Sequence, residues 1–357
     1  MISDLFQATS IEQPQYVSIK RKQLFEDEYR GIGKDEAQKN MKGMLPFIAH
    51  HCMCLDIDRE FWETKHTYYK ERNLNIIKLL DQVFRKLEEK GCTRVCVTEN
   101  FSAVLASDSC IGCFASGDVD LFVDIEMIPI VKEVMDEMGF SLGDRIKRKK
   151  CFAYEYYNET ILGTKFWLNF QWAPLTRKKT HLYDQYSITR RLYQELDRTI
   201  RYKDTAIKLL SNDAMMYFNL HHIASGHYFI MSPEFRLYAD IDRPLRALNI
   251  NLEKLARWAK EDDAGFRIAM PLYICNRFLE TPCDLTIVMS GLDVRRFNKL
   301  KSFLINEERM TIRKPPKNIP GYLFFLTRIE LLSDGTSLTK ALLRRLKGLF
   351  KKELAVY

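Results

Sequence analysis

The hydrophobic period of the chain changes at Gly91. From residue 58 to residue 90 the apolar side chains recur at helical spacing, and Gly91 then occupies a helix C-cap position. Residues 93–98 (TRVCVT) are rich in β-branched side chains, and residues 118–125 (DVDLFVDI) alternate between polar and apolar. A long helix followed by such short strands predicts a small mixed sheet with helices packed behind it.

The later segments extend this pattern. Residues 128–138 predict a helix, and residues 151–157 and 165–172 predict two more strands joined by a turn. Beyond Thr205 the spacing is helical again. The predicted later helices are 205–228, 233–247, 251–261, 264–280, 291–306 and a closing helix at 337–354. We therefore predict an α+β chain with an N-terminal helical region (1–90), an α/β core (91–200) and a C-terminal helical domain (201–357).

The composition is that of a globular protein, and it favours anionic partners. The chain has 357 residues, 46% of them hydrophobic, and a formal net charge of +8. This excess of positive charge suits phosphate-bearing ligands or RNA, although an evenly basic surface would give the same total. The beginning of the sequence lacks a secretory-signal pattern, and no run of about 18 apolar residues could span a membrane. Nine cysteines are best explained as free thiols in a reducing compartment, so we expect a cytoplasmic protein.

One acidic pair has the features of a metal site. Asp118 and Asp120 lie two residues apart on a predicted strand, so their carboxylates share one face, with Cα atoms about 7 Å apart. Two carboxylates on rigid backbone can share hard cations such as Mg²⁺, which phosphoryl and nucleotidyl transfer use to neutralise phosphate charge. Ser116 and Gly117 precede the strand, where a small turn lets backbone N–H groups approach a phosphate. A solvated edge strand is the alternative.

Spacing alone does not identify such a site, because two other D-x-D pairs occur in the chain. Asp56 and Asp58 precede the long helix, and we expect Asp58 to be its N-cap. Asp240 and Asp242 follow a helical stretch, which indicates a helix end or an interhelical contact. The pair that begins at Asp118 differs from both, since it follows a turn of small residues and begins an apolar strand.

The chain resembles the bacterial uncharacterised nucleotidyltransferases of the polymerase-beta-like superfamily. The resemblance covers the layout of residues 45–350 and is most specific at residues 116–121 (SGDVDL). It implies a small nucleotidyltransferase-like sheet and a two-metal Mg²⁺ site at Asp118 and Asp120. It also implies transfer of a nucleoside monophosphate from an NTP with release of pyrophosphate. Three further stretches match the family layout: 168–172 (LNFQW), 220–222 (LHH) and 235–240 (FRLYAD).

Five positions depart from the family's pattern. Asn169 stands where the family has its third carboxylate, and Gln171 replaces a usual His. An amide offers an oxygen but no charge, so a two-metal site would lose a ligand and a candidate base. Glu155 on the neighbouring strand, or Asp124, could compensate. The remaining departures are Glu99-Asn100 in place of a Lys-Gly pair and Phe114 in place of an Arg.

Cysteine and histidine clusters have simpler explanations than metal binding. Cys110 and Cys113 have the spacing of half a zinc site, but no second close cysteine pair and no His accompany them in the sequence. Two unpaired thiols in a loop is therefore the preferred interpretation. The same preference applies to the histidines and cysteines of residues 50–54 (HHCMC), which approach a helix. His221 and His222 lie on an apolar helix, as satisfied core or interlobe histidines do.

Two basic segments could bind polyanions or membranes. Residues 145–150 (RIKRKK) and 177–179 (RKK) flank predicted core strands and could hold a triphosphate or RNA, or could be solvated loops. In the closing helix at 337–354, a leucine stripe lies beside many Lys and Arg residues. That combination suits peripheral contact with an anionic membrane or a partner protein, although packing on the chain's own helices is commoner.

The sequence leaves two functions open. The first is an Mg²⁺- and NTP-dependent nucleotidyltransferase in which Asp118 and Asp120 bind metal, Ser116 and Gly117 lie near the triphosphate, and Asn169 takes the third position. Its acceptor could be a small molecule, a protein or an RNA end. The second is a catalytically degenerate module that binds a nucleotide, a partner or a membrane without turnover, an alternative that Asn169 motivates.

Overall fold

A seven-stranded mixed sheet lies at the centre of the computed structural model, which describes residues 19–40, 44–115, 117–143, 152–173, 185–226 and 236–304. Its strands are β1 Val95–Val97, β2 Asp118–Val123, β3 Ser141–Leu142, β4 Ala153–Asn158, β5 Phe166–Gln171, β6 Ile200–Arg201 and β7 Lys208–Leu209. Their order in space is β3-β4-β5-β2-β1-β7-β6. The β2–β5 and β1–β7 pairs are parallel and the other pairs antiparallel, so the sheet is mixed as predicted.

Helices surround this sheet. The α-helices of the described residues are α1 Ile19–Asn40, α2 Leu45–Cys54, α3 Arg59–Glu89, α4 Glu99–Ala106, α5 Ile128–Glu137, α6 Gln185–Leu196, α7 Asn212–His221, α8 Arg236–Ala247, α9 Leu252–Glu261, α10 Gly265–Leu279, α11 Leu285–Met289 and α12 Val294–Leu304. Single turns of 3₁₀ helix at Ile111–Cys113 and Ile125–Met127 flank β2, and a π-helical turn at His222–Gly226 continues α7. Helices therefore both precede and follow the sheet, which confirms the α+β class.

One face of the sheet is uniformly apolar because strand side chains alternate. Val119, Leu121 and Val123 of β2 are buried in the same core as Phe166 and Leu168 of β5. The second half of α3 and one side of α5 pack against this face. Each fully buried side chain of this size contributes about 1.5–3 kcal/mol, so the alternation fixes which face of β2 turns inward.

On the opposite face of the sheet, one end is buried in a second core and the other end carries the acidic pair. Phe122 at the far end of β2, and Cys96 of β1, belong to a second core built from α1, α2 and the helices from α6 onward. Asp118 and Asp120, on the same face as Phe122, are only half-buried. The second core therefore covers one end of this face and leaves the beginning of β2 accessible.

The predicted segments are confirmed to within a few residues for the long helix, β2, β4, β5, α5, α8, α9, α10 and α12. The helix predicted at 205–228 is wrong, since β7 pairs with Val97 at Leu209 and the helix begins only at Asn212. Helices α4, α6 and α11 and the two-residue strands β3, β6 and β7 were not predicted. The domain boundaries at residues 90 and 200 stay a prediction.

Four of the predicted features fall outside the described residues: Ser116, the basic segments 145–150 and 177–179, and the closing helix at 337–354. In the part of the chain that is described, no helix combines the length and apolarity that crossing a bilayer requires.

Candidate active site

Asp118 and Asp120 converge on one amide group. The parallel register of β2 and β5 aligns Asp120 with Asn169, so all three side chains share a face of the sheet. The Asn169 amide nitrogen donates to Asp118 Oδ2 at 3.1 Å and to Asp120 Oδ1 at 3.2 Å. The position where the resemblance implies a third carboxylate is therefore occupied by a neutral group that bridges the two acids. Gly117, just before them, accepts a hydrogen bond from the Trp167 N–H at 3.0 Å.

A third acid, Glu99, lies beside Asp120. It follows the end of β1, which runs antiparallel to β2, so it comes next to the beginning of β2. Its backbone is left-handed, with φ of 57°, a strained conformation for a non-glycine residue. The Gln171 amide donates to Glu99 Oε1 at 2.9 Å, and His222 Nδ1 lies 3.0 Å from the same oxygen. The sequence interpretation missed Glu99 as a site residue.

The pKa values of Asp120 and Glu99 are shifted in opposite directions. Burial raises the pKa of Asp120 well above its usual value, and the charges of Glu99 and Asp118 raise it further. Burial also disfavours the charge of Glu99, but contacts with His222, Gln171 and Asp120 hold the pKa of Glu99 below its usual value. A proton on Asp120 can therefore be donated to an ionised Glu99.

Asp118 opens onto a cleft of about 380 Å³. Asp118 and Asn169 form its floor with Glu155, which pairs with Asn169 across β4 and β5. Its other wall is aromatic and basic, formed by Leu142, Tyr157, Lys165 and Trp167. The Lys165 ammonium lies 3.8 Å from the Tyr157 ring centroid and 4.9 Å from that of Trp167. The cleft thus joins an acidic floor to a wall suited to a flat ring.

A cation on the long helix also faces the acids. Arg72 of α3 is half-buried, and burial lowers its pKa, while the charges of Tyr68, Tyr69 and Asp118 act to raise it. Arginine keeps its charge at neutral pH even when its pKa is lowered. Arg72 therefore places a positive charge near Asp118, where a phosphate would approach the acidic pair.

Other predicted residues have structural roles. Asp124 is not in the site, since it pairs with Arg94 at 2.8 Å at the far end of β2, whereas Glu155 does line the cleft. Phe114 is buried against Phe101. Asp58 occupies the N-cap position of α3 as predicted, but its carboxylate accepts from the Tyr29 hydroxyl instead of capping the helix.

His221, the last residue of α7, and His222, in the π-helical turn that follows, differ from each other. His221 is buried against Tyr217, as a core histidine would be, yet its ring nitrogens find no hydrogen-bond partner among the described residues. The expectation that it is satisfied is wrong. His222 instead connects the helical lobe to Glu99. The sequence predicted His222 only as a core or interlobe histidine, because no local pattern pairs it with Glu99.

The donor set fits a hard divalent cation. Asp118 and Asp120 offer carboxylate oxygens on one face of the sheet, and Mg²⁺ prefers one or two carboxylates together with water and substrate phosphate. Burial and the neighbouring acidic charges raise the pKa of Asp120, and a bound cation would act against both. The residues present are thus compatible with Mg²⁺.

Comparison with known proteins gives the chain a family. The model of a family described as "Uncharacterised nucleotidyltransferase" matches residues 55–280, a span that includes β2, β5, Glu99 and His222. No curated protein and no solved structure shows significant similarity to the chain.

Proposed function

The chain belongs to the uncharacterised nucleotidyltransferases, and from that membership we propose that it transfers a nucleoside monophosphate from an NTP, with Mg²⁺ held at Asp118 and Asp120. The observation that carries the proposal is the convergence of these carboxylates on one face of the sheet at the floor of the cleft. Glu99 acts as a positioning residue, because its contact orients Asp120 and sets its protonation.

The surroundings of the pair support a triphosphate in the cleft. Arg72 supplies a charge near Asp118, and Lys165 supplies another at the rim. The rings of Tyr157 and Trp167, with centroids 4.9 Å apart, offer faces of the kind on which nucleobases stack. We place the triphosphate between Arg72 and the acidic pair, with the base toward the aromatic wall.

Each residue then has a definite task. Bound Mg²⁺ would neutralise charge on the triphosphate and on the leaving pyrophosphate. Asp118 and Asp120 hold their oxygens on rigid strand backbone, which keeps the α-phosphate in a fixed position for attack. Asn169 fixes the separation of the two carboxylates by donating to both. The acceptor, whether a small molecule, a protein or an RNA end, would enter from the open side of the cleft.

Isothermal titration tests the proposal. A non-hydrolysable NTP analogue should bind the wild type in the presence of Mg²⁺ and lose that binding in Asp118→Asn/Asp120→Asn. The matched control is Asp136→Asn, an exposed carboxylate on α5 at the other side of the sheet. Equal Mg²⁺-dependent binding by wild type and double variant would overturn the assignment of the site.

A specific observation favours a second candidate function, a module that binds nucleotide without turnover. The Asn169 amide occupies a lone pair on each acid and adds no charge, so it replaces the third carboxylate without its chemistry. Such a module would bind the Mg²⁺–NTP complex in the titration but release no pyrophosphate. Pyrophosphate release that requires Asp118 would exclude it.

A further inference from the structure

A second candidate site lies outside the cleft, where four side chains from three segments meet. Cys110 and Cys113 bracket the 3₁₀ turn before β2, His50 lies on α2 and His66 on α3. One nitrogen or sulfur atom from each of the four lies within 4.8 Å of all the others, and His66 Nε2 lies 3.1 Å from Cys110 Sγ. The histidines that the sequence did not place near this cysteine pair are supplied by the fold.

The donor chemistry selects the ion. Two thiols and two imidazoles form the set that structural zinc sites use, whereas Mg²⁺ and Ca²⁺ require oxygen ligands. A tetrahedral zinc ion with its usual bond lengths separates its ligand atoms by roughly 3.3–3.8 Å. The spacing of at most 4.8 Å lies within a small adjustment of that geometry.

The turn is shaped around the His66 ring. A Cβ atom on Gly112 would lie 2.3 Å from His66 Nε2, so only glycine fits between the two cysteines. Close approach of backbone to ring is a physical reason for glycine here. The same approach brings the imidazole against Cys110, in the position of a ligand.

The turn is also held from behind, as metal-binding turns are. The Asn73 amide, two helical turns beyond His66 on α3, donates to the Ile111 carbonyl at 2.6 Å and to the Phe114 carbonyl at 2.8 Å. The Cys113 N–H donates to the Cys110 carbonyl at 2.8 Å. Outer hydrogen bonds of this kind keep ligands in place before the ion arrives. Side chains that are only packed together have no need of such outer hydrogen bonds.

We propose that His50, His66, Cys110 and Cys113 bind one structural zinc ion. All four positions are taken by protein ligands, so the site is closed and its role is to hold α2 and α3 against the turn. That turn leads within a few residues to Asp118, and zinc thereby fixes the entry of the chain into β2. The proposal is independent of the reaction at the cleft.

Metal content and cobalt spectroscopy test it on the full chain. Protein purified under reducing conditions and dialysed free of loose metal should contain about one zinc per chain by plasma mass spectrometry. Co²⁺ in its place should give the visible bands of tetrahedral cobalt and a thiolate charge-transfer band. Cys110→Ser/Cys113→Ser should lose the charge-transfer band and the zinc. Cys283→Ser, which alters a half-buried thiol between α10 and α11, should keep both.

A second variant guards against misfolding as the cause of loss. His66→Ala leaves both thiols and should retain thiolate charge transfer while its visible bands lose tetrahedral character. Wild type that takes up neither zinc nor cobalt in stoichiometric amount would overturn the proposal. So would a Cys110–Cys113 disulfide found by mass spectrometry in metal-free protein, or undiminished binding by the double cysteine variant.

Discussion

Asp118 and Asp120 on β2 and Asp240 and Asp242 on α8 have the same spacing in the sequence. Residues two apart share a face of a strand, whereas on a helix each residue turns by roughly 100°, so that two residues apart they point to different sides. The strand pair therefore meets at one amide, Asn169. The helix pair separates, and each acid faces its own arginine. Asp242 pairs with Arg246 at 2.9 Å, and Asp240 lies 3.6 Å from Arg243.

This contrast shows what separates a structural acid from one prepared for a cation. Asp242 also accepts from Thr281, and although burial raises its pKa, Arg246 and Thr281 act against that rise, as an interhelical contact requires. It lies inside α8, and the expected helix end is wrong. Burial raises the pKa of Asp120 too, but there the neighbouring charges of Glu99 and Asp118 raise it further. A shared spacing acquires chemical meaning only through the secondary structure that carries it.

The largest expected effect is on chemistry. Asp118→Asn should reduce Mg²⁺-dependent release of pyrophosphate from NTP by at least about 100-fold, because a metal's charge stabilisation amounts to several kcal/mol. Asp240→Asn should leave the specific activity of the folded fraction unchanged. A coupled phosphate assay on both variants checks this, and comparable losses in the two would break the contrast.

For the unfolding free energy the order should be reversed, with the larger loss coming from the pair on α8. Asp242→Ala should cost about 3–5 kcal/mol of unfolding free energy, because it leaves Arg246 buried without its partner. Asp120→Asn in metal-free buffer should raise the unfolding free energy by about 1 kcal/mol, since the folded state no longer bears the cost of keeping Asp120 protonated and the amide can still donate to Glu99.

Urea unfolding in the presence of a chelator measures both changes. If Asp120→Asn were instead destabilising by an amount similar to Asp242→Ala, the acidic cluster would be a structural network like the one on α8.

Asn169→Asp places a carboxylate at the third position and tests whether this cluster of acids binds a cation. It removes both hydrogen bonds of the amide and adds repulsion, so the metal-free variant should be less stable than wild type. Mg²⁺ should then stabilise it more, and about tenfold tighter binding would add about 1.4 kcal/mol at saturating ion. Melting temperatures across a Mg²⁺ titration test this, with Glu159→Asp, on the exposed β4–β5 turn, as control. If the melting temperature of the variant did not respond to Mg²⁺, metal binding at these acids would be contradicted.

The smallest expected effect is on pH dependence. Burial, with the charges of Arg267 and Arg191, holds the pKa of His221 well below 6.5. The folded protein therefore keeps this ring neutral, while the unfolded chain takes up a proton below about pH 6.5. The contribution of His221 to the unfolding free energy is therefore fully present above about pH 6.5. It declines on acidification by up to about 1.4 kcal/mol per pH unit.

Asp120 contributes with the opposite sign, because its raised pKa lets the folded state keep a proton that the unfolded chain releases above about pH 3.8. His221→Leu should therefore flatten the loss of unfolding free energy between pH 6.5 and pH 5. An unchanged slope in that variant would assign the loss to other groups.

Local pattern explains why some of this was predictable. The 31-residue helix α3 and the alternating strand β2 carry many repeats of their period, and Asp118 and Asp120 follow from β2 alone. The two-residue strands carry no period. An apolar run such as residues 206–210 (AIKLL) fits helix and strand equally, and its pairing with β1 decides.

Long-range contacts explain what was not predictable. Glu99 meets His222 across more than a hundred residues, and the two histidines reach Cys110 from other helices. One signal for Glu99 was available, because the end of a strand antiparallel to β2 must lie beside the beginning of β2. The role of Asn169 was stated from the resemblance, but its bridging of both acids depends on the register of β5.

The central claim is that the Asp118–Asp120 pair binds the divalent cation of an NTP complex, and anomalous diffraction tests it most directly. Crystals grown with Mn²⁺ and a non-hydrolysable NTP analogue should show manganese bonded to oxygens of both aspartates, with the triphosphate on the Arg72 side. Manganese absent from these carboxylates, with nucleotide bound elsewhere or not at all, would contradict the account.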